Sequence, residues 1–260
     1  MPASARAGGR LRCGCDMPTC GSLFSGIGGL DLGLQRAGFT IRWQVERDAF
    51  CRRVLARHWP AVPRYADICE LDVQQLERVE LIAGGFPCQP VSVAGNQRAQ
   101  ADARWLWPEF ARVVRALRPA LVLVENVPGL LVGGVGDVVG DLAACGYDTE
   151  WDCLPASAVG ADHVRDRVWI VAYADGRRCE VWRGAQLHRV ERPSRRFPDR
   201  RSVVWQFADA ADAWGSSAES ELDRVADGVP GRVDRLRALG NAVVPQIAEW
   251  LGRRLMATLQ

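Results

Sequence analysis

Residues 24–30, Phe-Ser-Gly-Ile-Gly-Gly-Leu, decide the fold of this 260-residue chain. An apolar segment from Cys20 to Phe24 precedes the glycines, and an amphipathic segment from Gly29 to about Ala37 follows them. A strand, a glycine-rich turn and a helix in this order are typical of the entry to a dinucleotide-binding fold. Glycine lets the backbone approach a ligand closely, and the helix N-terminus points at that ligand. Taken alone the signal is weak, because Gly-x-Gly-Gly turns are common.

Acidic residues follow the next two predicted strands. Glu46 comes directly after the strand from Thr40 to Val45, about twenty residues beyond the glycines, the spacing at which an acid binds ribose hydroxyls. Asp67, followed by Ile68, is placed to flank an adenine edge. Taken singly, each carboxylate is better explained as a solvated loop residue or a helix cap.

A cysteine lies within residues 84–90, Gly-Gly-Phe-Pro-Cys-Gln-Pro. The preceding run from Val79 to Ala83 is apolar except for Glu80 and predicts a buried strand. Ligands bind at the carboxyl edge of open α/β sheets, so a thiol held there on a rigid turn is a candidate nucleophile. Most free cysteines are small core residues. Cys88, however, lies between two prolines and off any periodic apolar face.

Two further groups of charged residues adjoin predicted strands. Glu125 follows the apolar strand from Leu121 to Val124, and a half-buried acid beside a nucleophile is typical of proton transfer. Arg165 and Arg167 precede another strand, and alternate residues of an extended segment point the same way. They would place positive charge near a thiolate or a phosphate. Surface solvation is the alternative explanation in a chain with so many arginines.

In this order, the motifs resemble those of the DNA cytosine-5 methyltransferases, from about Thr19 to the C-terminus. The chain looks like a compact prokaryotic or phage-type member, and five blocks in the family's order make the resemblance specific. The similar blocks are Leu23–Asp31, Gly85–Pro90, Glu125–Val127, Arg165–Arg167 and Gly240–Pro245. Residues 91–95, with Asp102 and Arg104, are similar to the family's mobile catalytic loop.

The resemblance implies a covalent mechanism on a cytosine flipped out of duplex DNA. The Cys88 thiolate would add to carbon 6, and carbon 5 would then accept the methyl group of S-adenosylmethionine. Glu125 would hydrogen-bond the ring nitrogen and the exocyclic amine. Arg165 would hold the carbonyl side of the base, Arg167 would support the site, and their charge would favour the thiolate. His163 stands where the family usually has Gln, so a tuned rather than inactive site is expected.

The resemblance also implies two sets of binding residues. The cofactor-binding set comprises Phe24, Ser25, Gly26, Gly28, Gly29, Leu30, Glu46, Asp67, Ile68, Pro87, Asn241 and Val243. The set expected to contact double-stranded DNA comprises Gln89, Ser92, Arg104 and Asn126. No metal is expected, because no second pair of ligands accompanies the cysteines near the start of the chain.

The alternation of predicted strands and helices indicates a mostly parallel sheet covered on both faces. We therefore expect an α/β, Rossmann-like S-adenosylmethionine-dependent methyltransferase fold with a small target-recognition lobe. Strands are predicted near 20–24, 40–45, 79–83, 120–124, 148–153 and 167–173. Helices are predicted near 29–38, 48–58, 104–117, 135–145 and 244–257.

Four regions are expected along the chain. They are a disordered tail over 1–18, a catalytic cofactor-binding domain over 19–173, a small target-recognition region over 174–230, and a C-terminal segment over 231–260 that returns to the catalytic domain. Residues 177–201 carry nine arginines against three acids, which suits phosphate contacts and guanine recognition. A merely soluble, partly disordered loop is the alternative for this stretch.

Composition is consistent with a globular protein of nearly balanced charge. The net charge is +2, and all basic side chains other than His are arginine. No apolar stretch approaches about eighteen residues, and the start lacks the apolar middle region of a signal peptide. A cytoplasmic, nucleoid-associated prokaryotic monomer is expected. Two alternatives stay open: a methylase of this fold that acts on RNA, and a non-catalytic DNA-binding relative, against which Cys88, Glu125 and Arg165 argue.

Overall fold

The computed structural model describes residues 17–87, 105–161, 163–174, 181 and 232–259. Cys88, Gln89, Ser92 and Arg104 lie outside the described residues. So do nearly all of the predicted tail over 1–18 and of the predicted target-recognition region over 174–230.

Seven described strands form one sheet in the order β3-β2-β1-β4-β5-β7-β6. The pairs among β1 to β5 are parallel, whereas β7 runs antiparallel to both β5 and β6. All six predicted strands are confirmed, and the two-residue β3 was missed because so short a segment has no periodicity. The strands are β1 (Thr19–Leu23), β2 (Thr40–Val45), β3 (Arg64–Tyr65), β4 (Leu81–Gly84), β5 (Leu121–Asn126), β6 (Tyr147–Pro155) and β7 (Asp166–Ala174).

The described helices include all five that the sequence predicts. Two were missed: α4, which is one turn long, and α6, whose Val233 and Leu236 are exposed, so that its sequence shows no apolar face. The helices are α1 (Gly29–Ala37), α2 (Ala49–His58), α3 (Trp107–Leu117), α4 (Leu130–Gly133), α5 (Val135–Ala144), α6 (Arg232–Asn241) and α7 (Pro245–Leu259).

Alternate residues of the central strands enter two separate apolar layers. Ile82 and Val122 pack with α3 and α5 on one face of the sheet, whereas Leu81 and Leu121 pack with α1 and α7 on the other. Both faces are therefore covered, as the sequence predicts.

Large apolar side chains of the described residues are mostly buried. The apolar face of α3 is buried throughout, as are Trp43 and Trp169. Trp151 is an exception, because it lies on the edge strand β6 and is 47% exposed. Within the described ranges, none of the helices has the length and hydropathy needed to cross a membrane.

Helices α1 and α7 approach each other through a glycine. A Cβ atom at Gly33 would collide with the carbonyl oxygen of Pro245 and lie 2.5 Å from Cβ of Ala248. It would also lie 2.8 Å from the backbone nitrogen of Glu249. The absence of a side chain at Gly33 therefore sets the distance between the two helices, and with it the position of the C-terminal segment.

We predict that Gly33→Ala destabilises the fold although alanine favours helix formation. The new methyl group meets backbone atoms of α7 that cannot move aside, so a loss of about 1–3 kcal/mol is expected in urea unfolding. Gly140→Ala in α5 is the matched control, because a Cβ there meets nothing within 4 Å. It should stabilise the protein by about 0.5–1 kcal/mol, the helix preference of alanine over glycine. Shifts of the same sign in both variants would contradict this account.

Candidate active site

The predicted site residues converge on one edge of the sheet because β1, β2, β4 and β5 are parallel. The glycine turn follows β1, Glu46 follows β2, and Gly85 follows β4, while Glu125 lies near the end of β5. Since β7 is antiparallel to β5, its first residues meet the end of β5, with Asn126 opposite Val168. This reversal explains how Arg167, at the start of a strand, reaches residues at the ends of others.

The glycine turn has an unusual backbone. Phe24 and Gly26 have positive φ angles of 53° and 56°, and Gly28 has a φ of 90° at the N-cap of α1. This left-handed region favours glycine, so the conformation is costly for Phe24. A Cβ at Gly26 would meet nothing within 4 Å, so open space borders the turn at the point where a ligand is predicted.

Glu46 is tied to this turn by backbone hydrogen bonds. Its Oε2 accepts from the Gly26 N–H at 2.7 Å, and its Oε1 accepts from the Asp48 N–H at 2.7 Å. Burial raises the pKa of Glu46, and the two N–H groups oppose that rise. A carboxylate oxygen accepts more than one hydrogen bond, so Glu46 keeps acceptor capacity for ribose hydroxyls in a fixed orientation.

The Asp67–Ile68 turn after β3 has its own partners. Oδ1 of Asp67 accepts from the backbone N–H of Cys69 at 2.9 Å, and Oδ2 lies 3.5 Å from Nε of Arg47. The carbonyl of Ile68 accepts from Nη2 of Arg112 at 2.6 Å, while its side chain is buried in the core. A role beside an adenine stays a prediction for both residues.

Ser25 and Leu30 pack beneath the glycine turn, on the side of the protein interior. Both are buried, Ser25 with its hydroxyl hydrogen-bonded to Ser22 at 2.9 Å and Leu30 within the apolar layer that α1 and α7 share. Their predicted contribution to cofactor binding stays a prediction.

Glu125 and Arg167 form an ion pair in which Glu125 is buried and Arg167 half-buried. Nε of Arg167 lies 3.0 Å from Oε1 of Glu125, and Glu125 is only 8% exposed. Burial raises the pKa of Glu125, while the charges of Arg167 and Arg165 oppose that rise. A Cβ at Gly85 would lie 2.6 Å from Oε2 of Glu125, so the carboxylate lies against the backbone three residues before Cys88.

Arg165 spans the gap to the C-terminal block. Its Nη1 donates to the Gly240 carbonyl at 2.7 Å, and its Nη2 donates to the Ala242 carbonyl at 2.8 Å. Burial and the nearby charge of Arg167 lower the pKa of Arg165. The predicted contact of Arg165 with a base stays a prediction, and in the structure its guanidinium holds the last block in place.

The C-terminal block lies against the start of α1. A Cβ at Gly29 would collide with the Val243 carbonyl, so the two backbones touch there. Asn241 ends α6 and is exposed. Arg237 of the same helix pairs with Asp48, whose side chain caps α2 through two backbone N–H groups.

Asn126 is buried and its amide is occupied. Its Nδ2 donates to the Phe86 carbonyl at 3.0 Å, and its Oδ1 accepts from the Val127 N–H at 2.8 Å. These bonds favour a role in holding Phe86 and the exposed Pro87 over the predicted DNA contact, which stays untested. The Phe86 ring also packs edge-on against Trp105, with 5.2 Å between ring centroids, so the residues on either side of 88–104 are in contact.

Sequence reasoning missed three residues that shape this site. Arg237 and Asp48 link α6 to α2, and Trp105 contacts Phe86. Asp48 had a usable signal, because an aspartate before an amphipathic run is typical of a helix N-cap. The described residues contain no group of His, Cys, Asp and Glu side chains that could hold a metal ion.

The family model for C-5 cytosine-specific DNA methylases matches residues 19–224. The chain belongs to this family. The match begins at β1 and includes the glycine turn, Cys88, Glu125 and the paired arginines, and it ends before α6.

Bacterial methyltransferases are similar over more than half of the chain. Type II methyltransferase M.FnuDI of Fusobacterium nucleatum is 36% identical over 157 residues, which cover 58% of this chain and 46% of the relative. Type II methyltransferase M2.BsuMI of Bacillus subtilis is 34% identical over 160 residues, 58% of this chain and 41% of the relative. The matched part of the chain thus spans less than half the length of these curated relatives.

Solved structures share the fold over nearly the whole chain. A prophage-encoded E. coli protein, described as a DNA modification methyltransferase, matches with a TM-score of 0.63 at 19% identity, covering 93% of this chain and 99% of that one. The S. pombe Dnmt2 methyltransferase matches with a TM-score of 0.58 at 15% identity, covering 93% and 98%. At such identities the likeness concerns the fold, and it confirms the Rossmann-like methyltransferase class that the sequence predicts.

We predict that Arg167→Met destabilises this methylase-family fold in a pH-dependent way. Removing the arginine leaves a buried carboxylate with only the charge of Arg165 to offset its burial, at a cost of about 3 kcal/mol at pH 8. The pKa of Glu125 is already raised by burial and rises further without Arg167. The protonated carboxyl needs no cation, so the deficit should shrink as the pH falls towards that pKa. Urea unfolding at pH 8 and at pH 5.5 measures the difference.

Arg115→Met is the matched control for that experiment. Its partner Asp141 lies 3.2 Å away, but both side chains are largely exposed, so a loss below about 1 kcal/mol is expected at either pH. A deficit in Arg167→Met that does not change with pH would contradict the assignment of Glu125 as its charged partner.

Proposed function

We propose that this chain is a DNA (cytosine-5)-methyltransferase that uses S-adenosylmethionine. The observation that carries the proposal is the ion pair of Glu125 and Arg167, which lies against Gly85 at the approach to Cys88. The family match supports the reaction class, and the pair supports the assignment of Glu125 as the acidic group that the reaction requires.

The residues at the glycine turn suit the cofactor. Open space borders Gly26, the N-terminus of α1 follows at Gly29, and Glu46 is oriented by backbone N–H groups. The Val243 carbonyl closes the far side against Gly29. S-adenosylmethionine, when bound, supplies an electrophilic methyl group.

Cys88 is the proposed nucleophile. Its thiolate forms a bond to carbon 6 of cytosine, and the electrons of the 5,6 double bond move to carbon 5, which becomes nucleophilic enough to take a methyl group. When carbon 5 then loses its proton, the electrons of that C–H bond re-form the 5,6 double bond and expel the thiolate from carbon 6. Attack at carbon 6 and methylation at carbon 5 both require a cytosine outside the base stack, and unstacking the base costs a few kcal/mol.

Glu125 is the proposed partner of the cytosine ring nitrogen. Burial raises its pKa, which favours a protonated carboxyl that donates a hydrogen bond to that nitrogen as charge develops during thiolate attack. Arg167 opposes that rise and fixes the orientation of the carboxyl group. Arg165 holds the block from Gly240 to Ala242. The next residue, Val243, lies against Gly29 at the glycine turn.

Duplex DNA is the proposed substrate, with residues 174–230 as the region that recognises the target sequence. Its arginine-rich stretch over 177–201 supports this assignment through phosphate contacts and guanine recognition. Gln89, Ser92 and Arg104 are proposed to contact the DNA around the flipped base. We further propose that the chain acts as a monomer in the prokaryotic cytoplasm, associated with the nucleoid, where its substrate lies.

Bisulfite sequencing of plasmid from cells that express the chain tests this function. We predict methylcytosine in one short sequence context, none with Cys88→Ala, and a loss of at least about a hundredfold in methyl transfer with Glu125→Gln. Purified Cys88→Ala should still bind S-adenosylmethionine, since the thiol takes no part in holding it.

Two results would contradict the proposal. Methylation that persists in Cys88→Ala would exclude the covalent mechanism. No methylation above background, with soluble protein that binds S-adenosylmethionine, would exclude DNA as the substrate and direct the search to RNA.

A further inference from the structure

A fully buried carboxylate, Asp31, lies beneath the glycine turn and takes no part in the chemistry described above. It belongs to the first turn of α1 and is 0% exposed. Its Oδ2 accepts from the hydroxyl of Ser22 at 3.0 Å, and its Oδ1 accepts from Nε2 of Gln44 at 2.9 Å. One side chain thus joins β1, β2 and α1, the three elements that meet at the turn.

A directed chain of hydrogen bonds runs from the turn to Asp31. The hydroxyl of Ser25 donates to Oγ of Ser22 at 2.9 Å, and the hydroxyl of Ser22 in turn donates to Asp31. Each hydroxyl has one proton, so an acceptor at Asp31 sets the direction of both bonds. Without that acceptor, Ser22 loses its partner for donation and competes with Ser25 for the bond between the two hydroxyls. The Ser25 hydroxyl then keeps only its longer contacts, with the carbonyls of Ser22 at 3.3 Å and Val45 at 3.5 Å.

Ser25 is the residue through which this series of hydrogen bonds acts on the glycine turn. It lies between Phe24 and Gly26, the two residues with left-handed backbone conformations. Its own N–H donates to the Val45 carbonyl at 3.1 Å, and its carbonyl accepts from the Gly28 N–H at 2.9 Å. A conformation that is costly for Phe24 persists only where surrounding bonds hold it, and the Ser25 side chain provides one of them.

We propose that Asp31 is a positioning residue for the cofactor: through Ser22 and Ser25 it holds the glycine turn in the conformation that binds S-adenosylmethionine. This inference rests on the function proposed above. Asp31 contacts neither the cofactor nor the base, and it acts on affinity rather than on the chemical step.

The electrostatics of Asp31 support a functional reason for its presence. Burial raises the pKa of Asp31 to about 6, against the opposing hydrogen bonds from Gln44 and Ser22, and the nearby charge of Glu46 adds to the rise. A raised pKa means that the group favours folding below about pH 4 and loses that contribution as the pH rises through 6. Above pH 6 the ionised Asp31 costs stability, and such a cost at a buried position is typical of residues kept for function.

The test is the equilibrium dissociation constant for S-adenosylmethionine, measured by titration calorimetry on the full chain at pH 8. Asp31→Leu removes the acceptor and should weaken binding by about tenfold or more, the cost of hydrogen-bond donors left without partners. Ser22→Ala removes the middle hydroxyl of the hydrogen-bond series from Ser25 to Asp31, so it should also weaken binding. In both variants the affinity for S-adenosylhomocysteine should fall in parallel, since the turn holds the part that the two molecules share.

Asp31→Asn is the conservative rescue. The side-chain carbonyl of the asparagine still accepts from Ser22. Oε1 of Gln44 is buried without a hydrogen-bond partner among the described residues, and rotation of the Gln44 amide lets it accept from the amide group of the asparagine. Binding within about threefold of the parent chain is expected, a change of less than one hydrogen bond. Val138→Ala, on the opposite face of the sheet, controls for general destabilisation and should leave the dissociation constant unchanged.

The outcomes separate this inference from the function on which it rests. Failure of the parent chain to bind S-adenosylmethionine would overturn both. Parent-like binding by Asp31→Leu and Ser22→Ala would overturn the positioning role alone. A loss of affinity for S-adenosylmethionine but not for S-adenosylhomocysteine would also overturn it, because it would mean that Asp31 acts through its charge on the sulfonium group. If Asp31→Leu does not fold, Ser22→Ala decides between these results.

Discussion

The ion pair between Glu125 and Arg167 depends on β7, the strand of the described sheet that runs against its neighbours. Because β7 is antiparallel to β5, a residue at the start of β7 lies beside a residue near the end of β5. A fully parallel sheet would place the two charges at opposite edges. The same reversal puts Arg165 within reach of the carbonyls of Gly240 and Ala242, so the C-terminal block is anchored to the edge that carries the candidate site.

Much of the fold was predictable from local sequence because most elements carry their own periodic signal. The face of α3 and the continuous apolar runs of β4 and β5 bury the residues that the pattern selects. The exceptions have no such signal: β3 is two residues long, and α6 buries only Ala238 among the side chains described for it. Trp151 shows the limit of residue type as a guide, since an edge strand leaves a large aromatic side chain exposed.

The sequence predicted where the described residues of the candidate site lie, but it did not predict their contacts. The motifs place the glycine turn, Glu46, Glu125 and the paired arginines at one edge, as the structure confirms. The partners of Arg165 lie 75 and 77 residues away in sequence, on a block whose position depends on the packing of α7 against α1. No local pattern encodes such a contact, so a base-binding arginine and a backbone-binding arginine have the same sequence signature.

Three carboxylates at this edge differ in what balances their charge. Burial raises the pKa of each, but backbone N–H groups compensate Glu46, neutral side chains compensate Asp31, and arginines compensate Glu125. The donors to Glu46 belong to the backbone of the glycine turn and of the residues after β2, whereas those to Asp31 are the side chains of Ser22 and Gln44. The proton affinity of Glu125 depends instead on the charges of two arginine side chains, with Arg167 the larger influence. Of the three acids, Glu125 is thus the one whose burial is opposed mainly by positive charge, which makes the position of Arg167 part of the chemistry proposed for it.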